Sequence, residues 1–260
     1  MSAFAQPKSQ STLGNAAEIN HAVYEQFWQD CPDFVRFNPG ARHRRRIVRE
    51  WLAGLPGGTL CDVGCGNGEL LVSLIGELGG VSEFFGVDLS PTTIVNNRER
   101  LPMVAFDVLN IEEQALPRAF DIIVCSEVLE HLDDRDRAFK HLASMLTPNG
   151  HLLVTTPTGK VHATERHFGH TVHPTLPELE SLGAANGLRR VRAINWGFPL
   201  YRALKWATNL DSERALKAFA SGRYGALQKN ISNALFFANY ANARDSSRGC
   251  QLFVLFRKAA

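Results

Sequence analysis

Residues 60–71 read LCDVGCGNGELL, an apolar run that breaks on three glycines and then turns amphipathic. The pattern predicts a strand, a tight turn and a helix that starts near residue 69. Gly64, Gly66 and Gly68 let the backbone bend sharply and approach a ligand with no Cβ in the way. The spacing is G-x-G-x-G, not the G-x-G-x-x-G of dinucleotide-binding loops, and Asp62 stands just before it. A pyrophosphate seeks a helix N-terminus with no carboxylate nearby, whereas a cationic, amine-bearing ligand seeks the carboxylate. A glycine loop alone is a weak signal; the segments around it strengthen it.

Outward from this loop, short apolar runs alternate with amphipathic stretches. Strands are predicted at TLCDV (59–63), EFFGVD (83–88), MVAFD (103–107), FDIIVCS (120–126) and HLLVTTP (151–157), with helices near 69–79, 91–100 and 134–146. Runs that are apolar on both faces are what a parallel sheet covered by helices requires, so the fold class is doubly wound α/β. A helix at 175–186 and a strand at 188–196 continue the pattern, then helical material fills 198–240 before a last strand, CQLFVLFRK (250–258). Two more strands also end in acids. Asp88 lies 20 residues after Gly68, where a carboxylate reaches ribose hydroxyls, and Asp107 is placed to accept from a purine amine. Each alone reads more readily as a helix cap or loop residue; three at successive strand ends shift the balance towards a ligand.

Over residues 55–196 the chain resembles the class I S-adenosylmethionine-dependent methyltransferases, through DVGCGNG, GVDLS, FDVLN, FDIIVCSEVLEHL and LTPNGHLLVTTP in that order. The resemblance implies a seven-stranded, mostly parallel, Rossmann-like sheet whose last strand is antiparallel and inserted beside the fifth. It implies that Asp62, Gly64, Cys65, Gly66 and Gly68 hold the methionine moiety of S-adenosyl-L-methionine. Asp88 and Leu89 would take the ribose, Asp107 and Val108 the adenine, and Ser126 would line the same pocket. The implied organisation is a tail at 1–12, an N-terminal helical lid at 13–54, a cofactor-binding core at 55–197, a helical insertion at 198–248 and a final core strand at 249–258.

SEVLEHL (126–132) puts Glu127, Glu130 and His131 at the mouth of the fourth strand, next to the sulfonium in this fold. If a helical turn begins at 127, all three share it, with Val128, Leu129 and Leu132 facing the sheet. Three readings stay open. The glutamates complement a helix dipole and the Glu–His pair stabilises the turn. Alternatively, His131, aided by Glu130, is a general base that deprotonates a substrate hydroxyl. In the third, Glu127, Glu130 and His131 bind a divalent metal such as Mg that lowers the pKa of that hydroxyl. The E-x-x-E-H pattern is similar to that of ubiquinone-biosynthesis O-methyltransferases and small-RNA 2'-O-methyltransferases. That likeness implies a metal completed by a histidine after the fifth strand: His170, with His167 and His173 in reserve and His162 in the same run.

Composition narrows the class. At 45% apolar and 21% charged, with net charge +2, the chain is globular and lacks the basic excess of a nucleic-acid-binding protein. Five unpatterned cysteines, the lack of an export signal and the lack of 18 consecutive apolar residues predict a cytoplasmic protein with reduced thiols. Helices are predicted at 15–29 and 39–54, separated by CPDFVRFN, with Tyr24, Phe27, Trp28 and Phe34 closing over the pocket or gluing the helices to the core. Arg42, Arg45, Arg46 and Arg49 form a stripe that is either solvated or anion-facing. Between 198 and 240, six Lys or Arg stand against two acids among aromatic residues, which suits a membrane surface, a lipid-linked substrate, a lid or a dimer interface. The expected activity is O-methylation of a hydroxyl on a small or lipid-linked molecule: a quinone precursor, a phenol or a sugar. RNA 2'-O-methylation and a non-catalytic scaffold are the rivals.

Overall fold

The computed structural model describes residues 31–219 and 222–259. The predicted tail and first helix, with Tyr24, Phe27 and Trp28, lie outside the described residues. The first elements are α1 (Pro32–Phe37), α2 (Pro39–Leu52), β1 (Gly58–Val63), α3 (Glu69–Leu74), β2 (Val81–Asp88), α4 (Pro91–Arg100), β3 (Ala105–Val108) and β4 (Phe120–Ser126). A single 3₁₀ turn (Leu129–His131) leads to α5 (Arg135–Ser144), β5 (Leu146–Pro157), α6 (Ala163–His167), α7 (Leu176–Ala185) and β6 (Leu188–Trp196). Three helices, α8 (Leu200–Thr208), α9 (Ser212–Phe219) and α10 (Ala226–Ala238), precede β7 (Gln251–Lys258).

The strands form one seven-stranded sheet in the order β3-β2-β1-β4-β5-β7-β6. The first five pair in parallel; β7 runs antiparallel between β5 and β6. Both faces are covered, so the central strands are apolar on both sides. In β4, Ile123 and Cys125 enter one core cluster with Phe139, Leu142 and Leu179, while Ile122 and Val124 enter the other with Val48, Leu71 and Ile94. The strand order reverses between β1 and β4, and the crevice at such a reversal is where open α/β sheets bind ligands.

Several boundaries differ from the sequence reading. CPDFVRFN contains helix α1 because Pro32 fits a first helical turn; Pro39 then starts α2, and Asn38 Oδ1 caps it by accepting from the Ala41 N–H at 3.0 Å. Helix α3 stops at Leu74, where Ile75 is extended and Gly76 takes a positive φ of 82°. Strand β3 starts at Ala105, after a turn in which the Val104 N–H meets the Leu101 carbonyl. Cys31, Cys61, Cys65, Cys125 and Cys250 are buried thiols, none of them in a disulfide. Among the described residues no helix is long and apolar enough to cross a membrane.

The arginine stripe is not simply solvated. Arg42 donates to Asn233 Oδ1 at 2.8 Å and lies 3.8 Å over the Phe236 ring; Arg45 reaches the Val35 carbonyl at 2.9 Å. His43 is fully buried between Trp196 and Phe236, with Nε2 2.7 Å from the Phe236 carbonyl. Burial pushes its pKa down to about 4. In the unfolded chain it returns to about 6.5. Its contribution to stability is therefore complete above about pH 6.5 and lost as pH falls towards 4, on the order of 3 kcal/mol. Urea titrations from pH 7 to 4 are expected to show a smaller loss of stability for His43→Phe than for the native chain; equal losses would contradict this.

Candidate active site

The carboxyl ends of β1, β2, β4 and β5 open into a cavity of about 460 Å³. Its floor is the glycine loop. Gly64, Gly66 and Gly68 have φ values of 71°, 49° and 72°, a left-handed conformation that side chains disfavour. The N–H groups of Gly64 and Cys65 both donate to the Val87 carbonyl, at 2.8 and 2.9 Å, folding the loop back onto β2. Asp88 braces it from β2: Oδ2 accepts from the Gly66 N–H at 2.8 Å and Oδ1 from the Ser90 N–H at 3.0 Å. Asn97 Nδ2 holds the Gly66 carbonyl at 2.7 Å. A Cβ on Gly64 would sit 2.3 Å from Val128 Cγ2, so loop and β4 turn meet only because the residue is glycine.

Asp62 is 2% exposed, and burial, then repulsion from Asp88, pushes its carboxyl up to about 8. Ionising it favours a cation alongside. Asp62, Gly64, Cys65, Gly66, Asp88, Leu89 and Ser126 all line the cavity. Asp107 and Val108, predicted at the adenine, do not. Asp107 is exposed at the end of edge strand β3 and accepts from its neighbour's own N–H at 2.8 Å, while the lining there comes from Leu109, Asn110, Ile111 and Glu112. Gly68 also lies off the wall, as the N-cap of α3.

SEVLEHL does not form one helical turn. Glu127 adopts φ +60°, a strained value for a residue with a side chain, and only Leu129–His131 coil. The Glu127 carboxylate is held by Thr155 Oγ1 (3.0 Å), Gln251 Nε2 (2.7 Å) and Arg44 Nη1 (3.1 Å). It is thereby separated from the group it was predicted to join. Leu129 and Leu132 are buried in the core as expected, with Val128 packed against them.

Glu130, His131 and His170 converge instead, their ligand atoms within 4.8 Å of one another. Glu130 is fully buried; Oε2 accepts from Thr156 Oγ1 at 3.1 Å and Oε1 meets no hydrogen-bond partner. Burial, then the Glu127 charge, pushes its carboxyl well above the usual range. His131 lines the cavity, and burial pushes it down to about 4 although the Gly169 backbone hydrogen-bonds it. It is a neutral imidazole at neutral pH. His170 stacks edge-on against His131, with ring centroids 4.6 Å apart, and burial lowers its pKa too. His173 lies behind His170, its Nε2 3.2 Å from His170 Nδ1. His162 caps α6, and His167 packs on Phe168.

Helices α1 and α2 and the helices before β7 roof the cavity with Phe34, Val48, Tyr201, Leu204, Leu216, Phe219 and Leu235. Gly40 admits the Tyr201 ring, since a Cβ there would lie 2.4 Å from the Tyr201 hydroxyl oxygen. Three wall residues were missed by sequence reasoning. Arg44 shares the inward face of α2 with Ala41 and Val48 at i, i+3 and i+7, a spacing that could have revealed it. Glu165 and Lys205 pair across the wall at 2.5 Å, and nothing in their local sequence marks them.

The cradle fits S-adenosylmethionine: left-handed glycines that a Cβ would fill, a buried carboxylate suited to a cation, and Asp88 at the end of β2. The donor set Glu130, His131 and His170 also suits a divalent metal, being two imidazoles and a carboxylate oxygen with no partner of its own.

A family model described as a methyltransferase domain matches residues 37–220. The chain belongs to that family, and its fold is that of the class I S-adenosylmethionine-dependent enzymes. It is 34% identical over 108 residues to a ubiquinone biosynthesis O-methyltransferase of Xanthomonas campestris pv. campestris (strain B100), covering 39% of this chain and 44% of that one. The corresponding protein of Alkalilimnicola ehrlichii is 33% identical over 164 residues, 58% of this chain and 64% of that one. A trans-aconitate 2-methyltransferase of Escherichia coli (strain 55989 / EAEC) is 32% identical over 127 residues, 48% and 50% of the two chains. The chain thus spans less than two thirds of the curated relatives it matches. Among solved structures, the N-methyltransferase NodS of Bradyrhizobium japonicum WM9 in complex with S-adenosyl-L-homocysteine superposes with a TM-score of 0.60 at 18% identity, over 95% of this chain and all 100% of that one.

Proposed function

We propose that the protein is an S-adenosylmethionine-dependent O-methyltransferase whose acceptor is a hydroxyl on a small or lipid-linked molecule, deprotonated at His131. The observation that carries this is a neutral, nearly buried imidazole on the wall of the cavity whose floor is the glycine loop. The cofactor, when bound, supplies an electrophilic methyl on a sulfonium. The chain supplies the rest: the loop and Asp88 fix the cofactor's position, the aromatic roof excludes water, and His131 accepts the hydroxyl proton as the methyl arrives. Alternatively, Glu130, His131 and His170 would hold a divalent cation; the His131 lone pair would then serve the metal, which would polarise the hydroxyl in place of that base. Glu127, tied to Arg44, stays outside that set.

The ubiquinone-type relatives support a hydroxyl acceptor; the trans-aconitate 2-methyltransferase relative makes a carboxylate the competing class. An RNA acceptor is less well supported, because Arg42 and Arg45 are engaged within the fold. Methyl transfer from labelled cofactor to catechols, sugars, quinone precursors, trans-aconitate and a small RNA duplex is the test. Transfer to a hydroxyl is expected, and transfer to trans-aconitate alone would overturn the proposal.

A lipid-linked acceptor is supported by the outer face of the roof. Trp206 (61% exposed) lies on α8 and Leu210 (67%) just after it; Leu227 (72%), Ile231 and Phe237 (68%) lie on α10. Arg202, Arg214, Lys217 and Arg223 share this segment. Apolar side chains amid cations suit an anionic bilayer surface. Vesicles of phosphatidylglycerol and phosphatidylcholine are expected to co-sediment the protein, and Trp206→Ala with Leu210→Ala to release it. Retention of the double variant would contradict the contact.

A further inference from the structure

Behind the group formed by Glu130, His131 and His170 stands a second row of polar residues that no role has yet absorbed. His173 is buried, and its Nδ1 lies 3.0 Å from the Gly159 carbonyl oxygen. A carbonyl only accepts, so Nδ1 of His173 must carry the hydrogen. In the neutral ring Nε2 is then a bare lone pair, and it faces His170 Nδ1 at 3.2 Å. Two lone pairs at that separation repel; the contact is attractive only if His170 Nδ1 carries the hydrogen and donates it. His170 is left with a single nitrogen able to give a lone pair, Nε2.

The surroundings remove the competing arrangement. Glu165 Oε2 is the nearest acceptor that could draw a hydrogen onto His173 Nε2, but it stands 3.7 Å away, beyond hydrogen-bond range. That oxygen already accepts from the His162 N–H at 2.8 Å, and Oε1 pairs with Lys205 Nζ at 2.5 Å. Lys205 thus offsets the carboxylate that would otherwise favour a doubly protonated His173. The Glu165 carbonyl, in turn, accepts from the backbone N–H of His170 at 3.1 Å, so one residue anchors the His170 backbone and flanks its side-chain partner.

We infer that His173 is a positioning residue: held by the Gly159 carbonyl, it fixes His170 as the Nδ1–H tautomer and leaves Nε2 as the one nitrogen with a lone pair for His170 to contribute to its group with Glu130 and His131. In water the Nε2–H form is the commoner, and it would put a hydrogen where the site needs an acceptor. The tautomer matters in either chemistry of the proposed function, on which its use rests. A metal requires an imidazole lone pair, and so does a proton passed on from His131.

The experiment separates this inference from the proposal beneath it. Long-range ¹H–¹⁵N correlation spectra of the metal-free, ¹⁵N-labelled full chain report the tautomer of each histidine. His170 is expected as Nδ1–H in the native protein and in His173→Gln, whose amide oxygen can still accept, but as Nε2–H in His173→Leu. Cobalt(II), followed by calorimetry and visible absorption, is then expected to bind His173→Leu about 10- to 100-fold more weakly than the native protein, with His173→Gln restoring most of the loss. Native His170 found as Nε2–H or as imidazolium overturns the inference, as does equal cobalt affinity in the native protein and His173→Leu. Native protein that shows Nδ1–H yet binds no cobalt upholds the tautomer and removes the metal from the proposed function.

Discussion

Replacing His131 with alanine is expected to lower kcat by about 10²- to 10⁴-fold while leaving the affinity for S-adenosylhomocysteine within about threefold of native. The glycine loop is held by Val87, Asp88 and Asn97, so losing the His131 side chain removes a base and leaves those contacts of the cofactor cradle in place. Because burial holds this imidazole at about 4, the native rate should stay level through pH 6.5, where free imidazole protonates, and fall only as pH drops towards 4. His131→Ala should lose that acid limb along with the rate. Stopped assays between pH 4 and 8 on both proteins check this. An alanine variant with native kcat would mean that methyl transfer proceeds by positioning alone.

The second large effect belongs to Gly64→Ala, expected to weaken S-adenosylhomocysteine binding by about 10- to 100-fold, the equivalent of about 1–3 kcal/mol. Two penalties act together. The residue has φ +71°, and its new Cβ would press to 2.3 Å from Val128 Cγ2, a side chain pinned between the loop and the turn that carries Glu130 and His131. Gly76→Ala is the control: it has the same sign of φ, at 82°, with nothing within 4 Å of the added carbon, and so reports backbone strain without the clash. Calorimetry and thermal melts on both variants separate the terms. If Gly64→Ala binds as tightly as Gly76→Ala, the close approach of loop and turn is not what shapes the cradle.

The central architecture was legible because its signals are local. A strand apolar on both faces, such as FDIIVCS, must lie inside a covered parallel sheet, and β4 spans Phe120–Ser126 as predicted. The placement of Gly64, Gly66 and Asp88 at one rim follows from strand ends and tight turns, which the sequence spells out directly. What was not legible depends on tertiary geometry. SEVLEHL has helical spacing, yet the positive φ at Glu127 turns that carboxylate towards Arg44 on α2, a partner that no local pattern names. Asp107 ends its strand as expected, but β3 is the sheet's edge, and its carboxylate faces outward. Four histidines in 162–173 were visible as a cluster, but which of them meet His131 depends on how that loop folds over the cavity. The Glu165–Lys205 pair joins segments 40 residues apart in the chain.

The most direct test is a crystal structure of the protein grown with S-adenosylhomocysteine, paired with calorimetry of the same ligand. The ribose is expected against Asp88 and the homocysteine over Gly64 and Gly66, with binding lost in Asp88→Ala. A ligand bound elsewhere, or no heat of binding while that cavity stays open, would contradict the account at its base.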